Sequence, residues 1–360
     1  MDTHAPPQAD ADYLTAALRK AGALDQGRVV AVKVVHSFPT VLSRFHRLKL
    51  EYEGTVDAPR HFYLKTGLPG SPGGAMDSGR REVAFYTTIG SATPEGLLPR
   101  CFDAQAAPDG SRWHLLLEDL TDTHFIATPW PLPPTVAETE IIVRCRARFQ
   151  ATWWDDPRLG NGIGHRPSDN EIEQWLTWLA KQYEAFADTL GERLPPRRRA
   201  LYEKLLAAAP RLVQRARSWR HMTVIQGDAH VWNCFLPKDG AVRTPRLRAP
   251  ETPRLFDWDG WQVAVGTEDL AYMIAMHWYP DMRQRAERPL LDAFHDELLA
   301  CGVKGYDRRA LQDDYRLSVL WQITRPLWMR SVGIQPRLWW SNLERIHLAA
   351  DDLGCRELLD

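Results

Sequence analysis

The sequence predicts an α+β protein, and three features predict it. Before about residue 118, runs alternate apolar and polar with a period of two, the signature of half-buried antiparallel strands. From 135 onward the apolar residues recur every 3.6 positions, which calls for long amphipathic helices. Between 222 and 260 the helical pattern is broken by short apolar runs that end in polar residues.

Taken in order, a short helix near 10 to 21 precedes "GRVVAVKVVHSF", "SRFHRLKLEYEG" and "RHFYLKTG", three strand candidates. In the second, Phe45, Arg47 and Lys49 alternate with His46, Leu48 and Leu50, so one face is dry and the other wet. "LPGSPGGAMDSG" is rich in Gly, Pro and Ser and reads as a loop with no helix of its own. "RREVAFYTTIG" follows as a helix, and "LPRCFDAQAAPDGSRWHLLLEDL" supplies two more strands around a "PDG" turn. Residues 1–118 therefore form a mixed domain of about five antiparallel strands and one inserted helix. Residues 119–360 form a second, mainly helical domain, starting with "VAETEIIVRCRARFQATWWDD" and "NEIEQWLTWLAKQYEAFADTL". "KDGAVRTPRLRAPETPR" within it reads as an exposed loop.

Bulk composition narrows the function. The 360 residues are 44% hydrophobic, enough for real cores, and 45 basic against 46 acidic residues leave no global field to recruit nucleic acid or an anionic membrane. The 5 cysteines are an odd number without a C-x-x-C pair, which argues against disulfides and zinc and fits a reducing cytoplasm. No basic-apolar leader and no run near the length of a spanning helix is present. Arg197, Arg198 and Arg199 after two prolines read as a solvated helix start.

The chemistry concentrates in "TVIQGDAHVWNCFLP", where Asp228, His230 and Asn233 interrupt a strand pair. Phosphoryl transfer needs a group that positions the polyphosphate, a divalent ion that bridges its oxygens, and an acceptor for the nucleophile's proton. Magnesium takes few hard oxygen ligands from protein because water and phosphate supply the others. Asp228 suits the proton acceptor, and the Asn233 amide with the Asp257 carboxylate at the end of "RLF" suits the ion.

"QGDAHVWN" followed by "LFDWDGWQVAVGTEDLAYMIA" resembles the H-G-D-x-x-x-x-N and I-D-W-E…G…D-L-A signatures of the aminoglycoside phosphotransferase and choline kinase family. "FYLKTG", "RREVAFYTTI", "HLLLEDL" and "RFQATWWDDPRL" resemble further family segments in the right order, so the likeness spans nearly the whole chain. It implies a protein-kinase-like fold of two lobes, 1–118 and 119–360, using ATP and Mg2+ on a small-molecule hydroxyl acceptor. Residue by residue, it implies Asp228 as catalytic base, Asn233 and Asp257 as magnesium ligands, and Lys65, paired with Glu82, on the α- and β-phosphates. Backbone groups of Glu118 and Leu120 would read adenine, Ser43 with the amides of Val41 and Leu42 would face phosphate, and Asp269 would support the catalytic loop.

The chain departs from the family pattern at Gln226, where His is usual, and in "HSFPTVLSR", which lacks the glycines of a phosphate loop. A protein kinase is excluded on space, since about a dozen residues separate Asp257 from "EDLAY" and no A-P-E follows. A catalytically silent nucleotide-binding protein is the remaining alternative to an enzyme. For the acceptor, the 15 tryptophans read one by one as core packing, while two or three of them line an acceptor cleft, with Trp321 and Trp328 placed on one helical face. Asp281, Asp292, Asp296 and Glu297 are either acid for a cationic acceptor or helix surface.

Overall fold

A computed structural model describes residues 6–40, 42–68, 73–109, 112–238 and 252–360. The strands are β1 (Val29–Pro39), β2 (Ser43–Tyr52), β3 (His61–Gly67), β4 (Cys101–Ala106) and β5 (Trp113–Glu118). They continue with β6 (His124–Ile126), β7 (Met222–Ile225), β8 (Cys234–Pro237), β9 (Arg254–Leu255) and β10 (Gln262–Val265). The helices are α1 (Ala11–Lys20), α2 (Gly73–Ala84), α3 (Val136–Thr152), α4 (Asp169–Leu190), α5 (Pro196–Leu212) and α6 (Gln214–Arg217). After β10 come α7 (Thr267–Leu270), α8 (Pro280–Ala300), α9 (Arg308–Gln322), α10 (Arg325–Ser331) and α11 (Pro336–Asp352). Among the described residues, no helix is long and apolar enough to cross a membrane.

Two compact units result, Met1–Ala127 with Asn233–Trp261, and Thr128–Trp232 with Gln262–Asp360. The first contains an antiparallel sheet in the order β1-β2-β3-β5-β4 and a smaller one in the order β6-β8-β9. In β2, Leu48 and Leu50 are buried while Lys49 and Glu51 are exposed, which is the alternation that makes a one-sided sheet. The dry face meets Leu14 and Leu18 of α1, Phe62 and Leu64 of β3, and Phe102 and Leu116.

Helix α2 corrects the expectation of a structureless loop, because it already starts at Gly73 within the Gly/Ser-rich stretch. The reason is packing against β5. A Cβ on Gly79 would stand 2.0 Å from Trp113 Cε2, and one on Gly67 would stand 2.8 Å from Trp113 Nε1, so the two glycines make room for the indole. Glycine here permits close approach and says nothing about a turn. The loop expected over 238–254 falls mostly outside the described residues.

The second unit is built from helices around the antiparallel pair β7 and β10. Trp153, Trp278, Phe149, Phe186 and Phe294 are fully buried in it, so many of its aromatic residues are core. Trp321 and Trp328 do not share a helical face, contrary to their spacing. Pro326 has no N–H to continue the helical ladder, so α9 ends at Gln322 and α10 begins at Arg325.

A Gly79→Ala variant provides a test with a definite sign. Helix propensity alone favours alanine by about 1 kcal/mol, whereas overpacking against Trp113 should cost about 1–3 kcal/mol. Urea denaturation should show net destabilisation; a more stable variant would contradict the packing.

Candidate functional site

In the first unit, Lys65 lies on β3, flanked in register by Phe45 of β2 and Leu115 of β5. Its ammonium is buried and lies 2.7 Å from Glu82 Oε2 and 2.8 Å from Asp257 Oδ1. The Phe45 ring centroid is 5.4 Å from Nζ, a cation–π distance. Burial works to lower the Lys65 pKa, but the charges of Asp257 and Glu82 outweigh it and hold the group above its ordinary value as an ammonium.

Each carboxylate is separately anchored. Glu82 Oε1 accepts from Trp258 N–H at 3.4 Å, and the Trp258 indole stacks on Phe85 with centroids 4.1 Å apart. Asp257 follows β9 in the left-handed region at φ 66°, which is uncommon for a residue with a side chain and is tolerated best by Gly, Asn and Asp. Phe256 N–H donates to the Asn233 carbonyl at 3.1 Å, extending the pairing of Cys234 with Leu255. Asn233 and Asp257 thus leave adjacent strand ends, and both offer hard oxygen.

The other residues nominated in this unit are held as follows. Ser43 Oγ is 2.8 Å from Thr40 Oγ1, and Thr40 N–H donates to the Ser43 carbonyl at 2.7 Å, which closes the β1–β2 turn. Leu42 belongs to that turn, while Val41 lies outside the described residues. Glu118 N–H donates to the Arg100 carbonyl at 2.8 Å, and the Leu120 carbonyl accepts from Thr123 and His124 N–H at 3.1 and 2.8 Å.

In the second unit, β7 ends at Ile225 and the chain turns through Gln226 and Gly227 to Asp228. Gly227 has φ 78°, so glycine is needed there for conformation. The Asp269 carboxylate accepts both backbone donors of this turn, Gln226 N–H and Gly227 N–H, each at 3.0 Å. Two residues of α3 hold Asp269 in turn: Arg146 at 2.8 Å and Gln150 at 3.2 Å. Both are fully buried, and sequence reasoning missed them. The only local signal was an arginine and a glutamine four apart, one turn, on a helix that also carries Arg144 and Arg148.

The Asp228 side chain accepts from Tyr272 Oη at 2.6 Å on Oδ1, and His230 Nε2 lies 3.5 Å from Oδ2. Burial alone would raise its pKa; His230, Arg325 and the Tyr272 bond overcome that and hold the carboxyl well below its ordinary range. Arg325 stands over the Tyr272 ring at 5.1 Å and the Trp328 ring at 4.6 Å. Trp321 instead pairs with Trp175 at 5.4 Å.

Most of the nominated acids are engaged at the helix surface. Asp292 pairs with Arg308, Asp296 with the same arginine at 2.8 Å, and Glu297 with Arg148 at 2.6 Å and Arg144 at 3.2 Å. Asp281 is 3.7 Å from Arg285, with both side chains largely exposed.

Glu268, beside Asp269, has its carboxyl pushed up from 4.5 to about 7, first by burial and then by the Asp269 charge, against Arg325 and Arg215. A raised acid binds its proton more tightly in the folded state, so this group's contribution to stability should fall as pH rises from about 4.5 to about 7. Denaturation across that window should show Glu268→Gln losing less stability than the natural chain, by about 1–3 kcal/mol. Parallel curves would contradict the assignment.

No curated protein sequence matches this chain. Among solved structures, a candidate aminoglycoside phosphotransferase from Ralstonia eutropha is similar at 13% identity with a TM-score of 0.54, covering 97% of this chain and 98% of its own. A choline/ethanolamine kinase family protein from Mesorhizobium loti is similar at 11% identity and a TM-score of 0.47, covering 97% and 94%. An aminoglycoside phosphotransferase in ternary complex with ADP and hygromycin B is similar at 12% identity and a TM-score of 0.45, covering 95% and 99%. Only the first is close enough in superposition to bear on the fold, which is α+β and protein-kinase-like. A sequence profile of the ecdysteroid kinase-like family matches residues 80–304, well over half of the chain, and the chain therefore belongs to that family of kinase-like proteins.

Proposed function

We propose that the protein transfers the γ-phosphate of ATP to a hydroxyl of a small molecule. The observation that carries this is the buried Lys65 ammonium held by two carboxylates, Glu82 at 2.7 Å and Asp257 at 2.8 Å. A fixed, charged donor of this kind suits the α- and β-phosphates, because phosphoryl transfer depends mainly on positioning and electrostatics. Glu82 keeps the lysine extended, and the backbone of Glu118 and Leu120 takes the adenine. The Leu42 N–H and Ser43 face the phosphates. In this reading the working lobes are 1–118 and 119–360.

Asn233 and Asp257 fit Mg2+, since their hard oxygens leave neighbouring strand ends joined by the Phe256–Asn233 bond. When bound, the ion would neutralise charge on the phosphate oxygens. Asp228 orients the acceptor hydroxyl and takes its proton as oxygen bonds to the γ-phosphorus and the bond to the ADP oxygen breaks. Its low pKa makes it a weak base, which suits a loose transition state where the proton moves late. A small hydroxylated acceptor and a cytoplasmic location complete the proposal, supported by the near balance of charge and the unpatterned cysteines.

The test is transfer of labelled γ-phosphate to a panel of water, glycerol, a polyhydroxylated steroid and kanamycin. Asp228→Ala should lower kcat by about 10²–10⁴-fold while MgATP still raises the melting temperature, as any ligand of the native state does. Lys65→Ala should raise the KM for ATP, and EDTA should stop turnover. Full activity in Asp228→Ala would overturn the base assignment. A melting temperature indifferent to MgATP would favour a silent relative.

A further inference from the structure

We propose that Arg325 selects an acceptor that carries a carboxylate beside its hydroxyl, received by a guanidinium held between the rings of Tyr272 at 5.1 Å and Trp328 at 4.6 Å. This rests on the phosphotransfer reading above and deepens it, by giving the charge of the molecule that takes the phosphate.

Three arginines of this unit that are largely withdrawn from water each meet a carboxylate: Arg146 pairs with Asp269 at 2.8 Å, Arg215 with Asp314 at 2.6 Å and Arg283 with Glu287 at 2.6 Å. Arg325 does not, and among the described residues no carboxylate forms an ion pair with it. Its Nε is buried without a hydrogen-bond partner among those residues, and its Nη2 reaches the Gly227 carbonyl at 3.4 Å, a long bond. A guanidinium left so costs stability, which two aromatic faces offset in part and an incoming anion would offset further. The neighbouring acids do not take that place. Asp228 is engaged by Tyr272 at 2.6 Å and by His230 at 3.5 Å. Burial pushes the Glu268 carboxyl up to about 7, so below that pH it brings little charge.

Arg345 repeats the pattern on the same stretch of chain. Its guanidinium lies over the Tyr279 ring at 4.4 Å and donates to the His277 carbonyl at 2.9 Å, again with no ion pair among the described residues. The His277 and Tyr272 rings are 4.8 Å apart, so two uncompensated cations flank one short segment, 272–279. The acids that a polycationic acceptor would need are committed to arginines instead: Asp292 and Asp296 to Arg308, and Glu297 to Arg144 and Arg148. Guanidinium and carboxylate are both planar, and two parallel N–H···O bonds can join them. Stacking fixes the guanidinium plane before the ligand arrives, so less freedom is lost on binding. Trp328 is exposed, which leaves ring surface beside the cation for the apolar body of such an acceptor.

Three aromatic alcohols of similar shape separate the charges: 4-(hydroxymethyl)benzoate, benzyl alcohol and 4-(aminomethyl)benzyl alcohol. Binding of each to the natural chain is read by calorimetry without nucleotide, and transfer of labelled γ-phosphate is read with MgATP. The benzoate should bind about 10–100-fold more tightly than the amine, with benzyl alcohol between them. Arg325→Gln should collapse that ratio to within about threefold, and Arg325→Lys should keep part of it, since a point charge attracts but does not pair through two bonds. The ratio is the readout because a general loss of folding or catalysis lowers all three alike. An amine bound as tightly as the benzoate, no detectable benzoate binding, or a ratio untouched in Arg325→Gln would overturn the inference; the phosphotransfer reading survives that result if labelled phosphate still reaches benzyl alcohol or the amine. Should Arg325→Gln fail to fold, the order of the three compounds on the natural chain decides. Selective binding of the benzoate with no transfer of phosphate to it would instead sink the phosphotransfer reading, and the acceptor role of this arginine with it.

Discussion

The ammonium of Lys65 is the constraint on which the first unit depends. A lysine this buried is tolerated only with its charge balanced, and a single carboxylate would leave donors unmet. The pair Glu82 and Asp257 supplies that balance, one from α2 and one from the segment after β9, which are 175 residues apart in the chain. Removing either acid leaves a cation in a dry place; removing the lysine leaves two like charges facing each other. The cost falls on stability as well as on function, so the site and the core of this unit are not separable.

A second buried charge organises the other unit in the same way. Asp269 gathers two backbone donors, an arginine and a glutamine, and thereby fixes where the turn after β7 goes. Burying a carboxylate is expensive unless its lone pairs are used, and here they are used on the loop that matters. Both units thus solve one problem alike, with a buried ion serving as the frame for a partly exposed acid.

Much of the fold is legible in the sequence because sheets with one wet face write themselves as alternation. Lys49 and Glu51 point out and Leu48 and Leu50 point in, as the pattern in β2 requires. The start of α2 is not legible, since Gly79 serves a neighbour, Trp113, that is 34 positions away and leaves no local mark. Nor is the break between Trp321 and Trp328 read from spacing alone, although Pro326 carries the cause. In the site, Lys65 and Glu82 stand in motifs that can be recognised, whereas nothing announces that Asp257 also grips Lys65. Arg146 and Gln150 escape for a similar reason: polar residues on a helix look like surface until the fold turns them inward.

The backbone at Asp257 carries a consequence for how this position can vary. Its left-handed conformation is open to glycine, asparagine and aspartate, while its grip on Lys65 requires a negative charge. Glycine and asparagine meet the first demand and fail the second; glutamate meets the second and strains the first. Aspartate meets both without strain, so holding the shape of this loop together with the charge beside Lys65 leaves little room for substitution at 257.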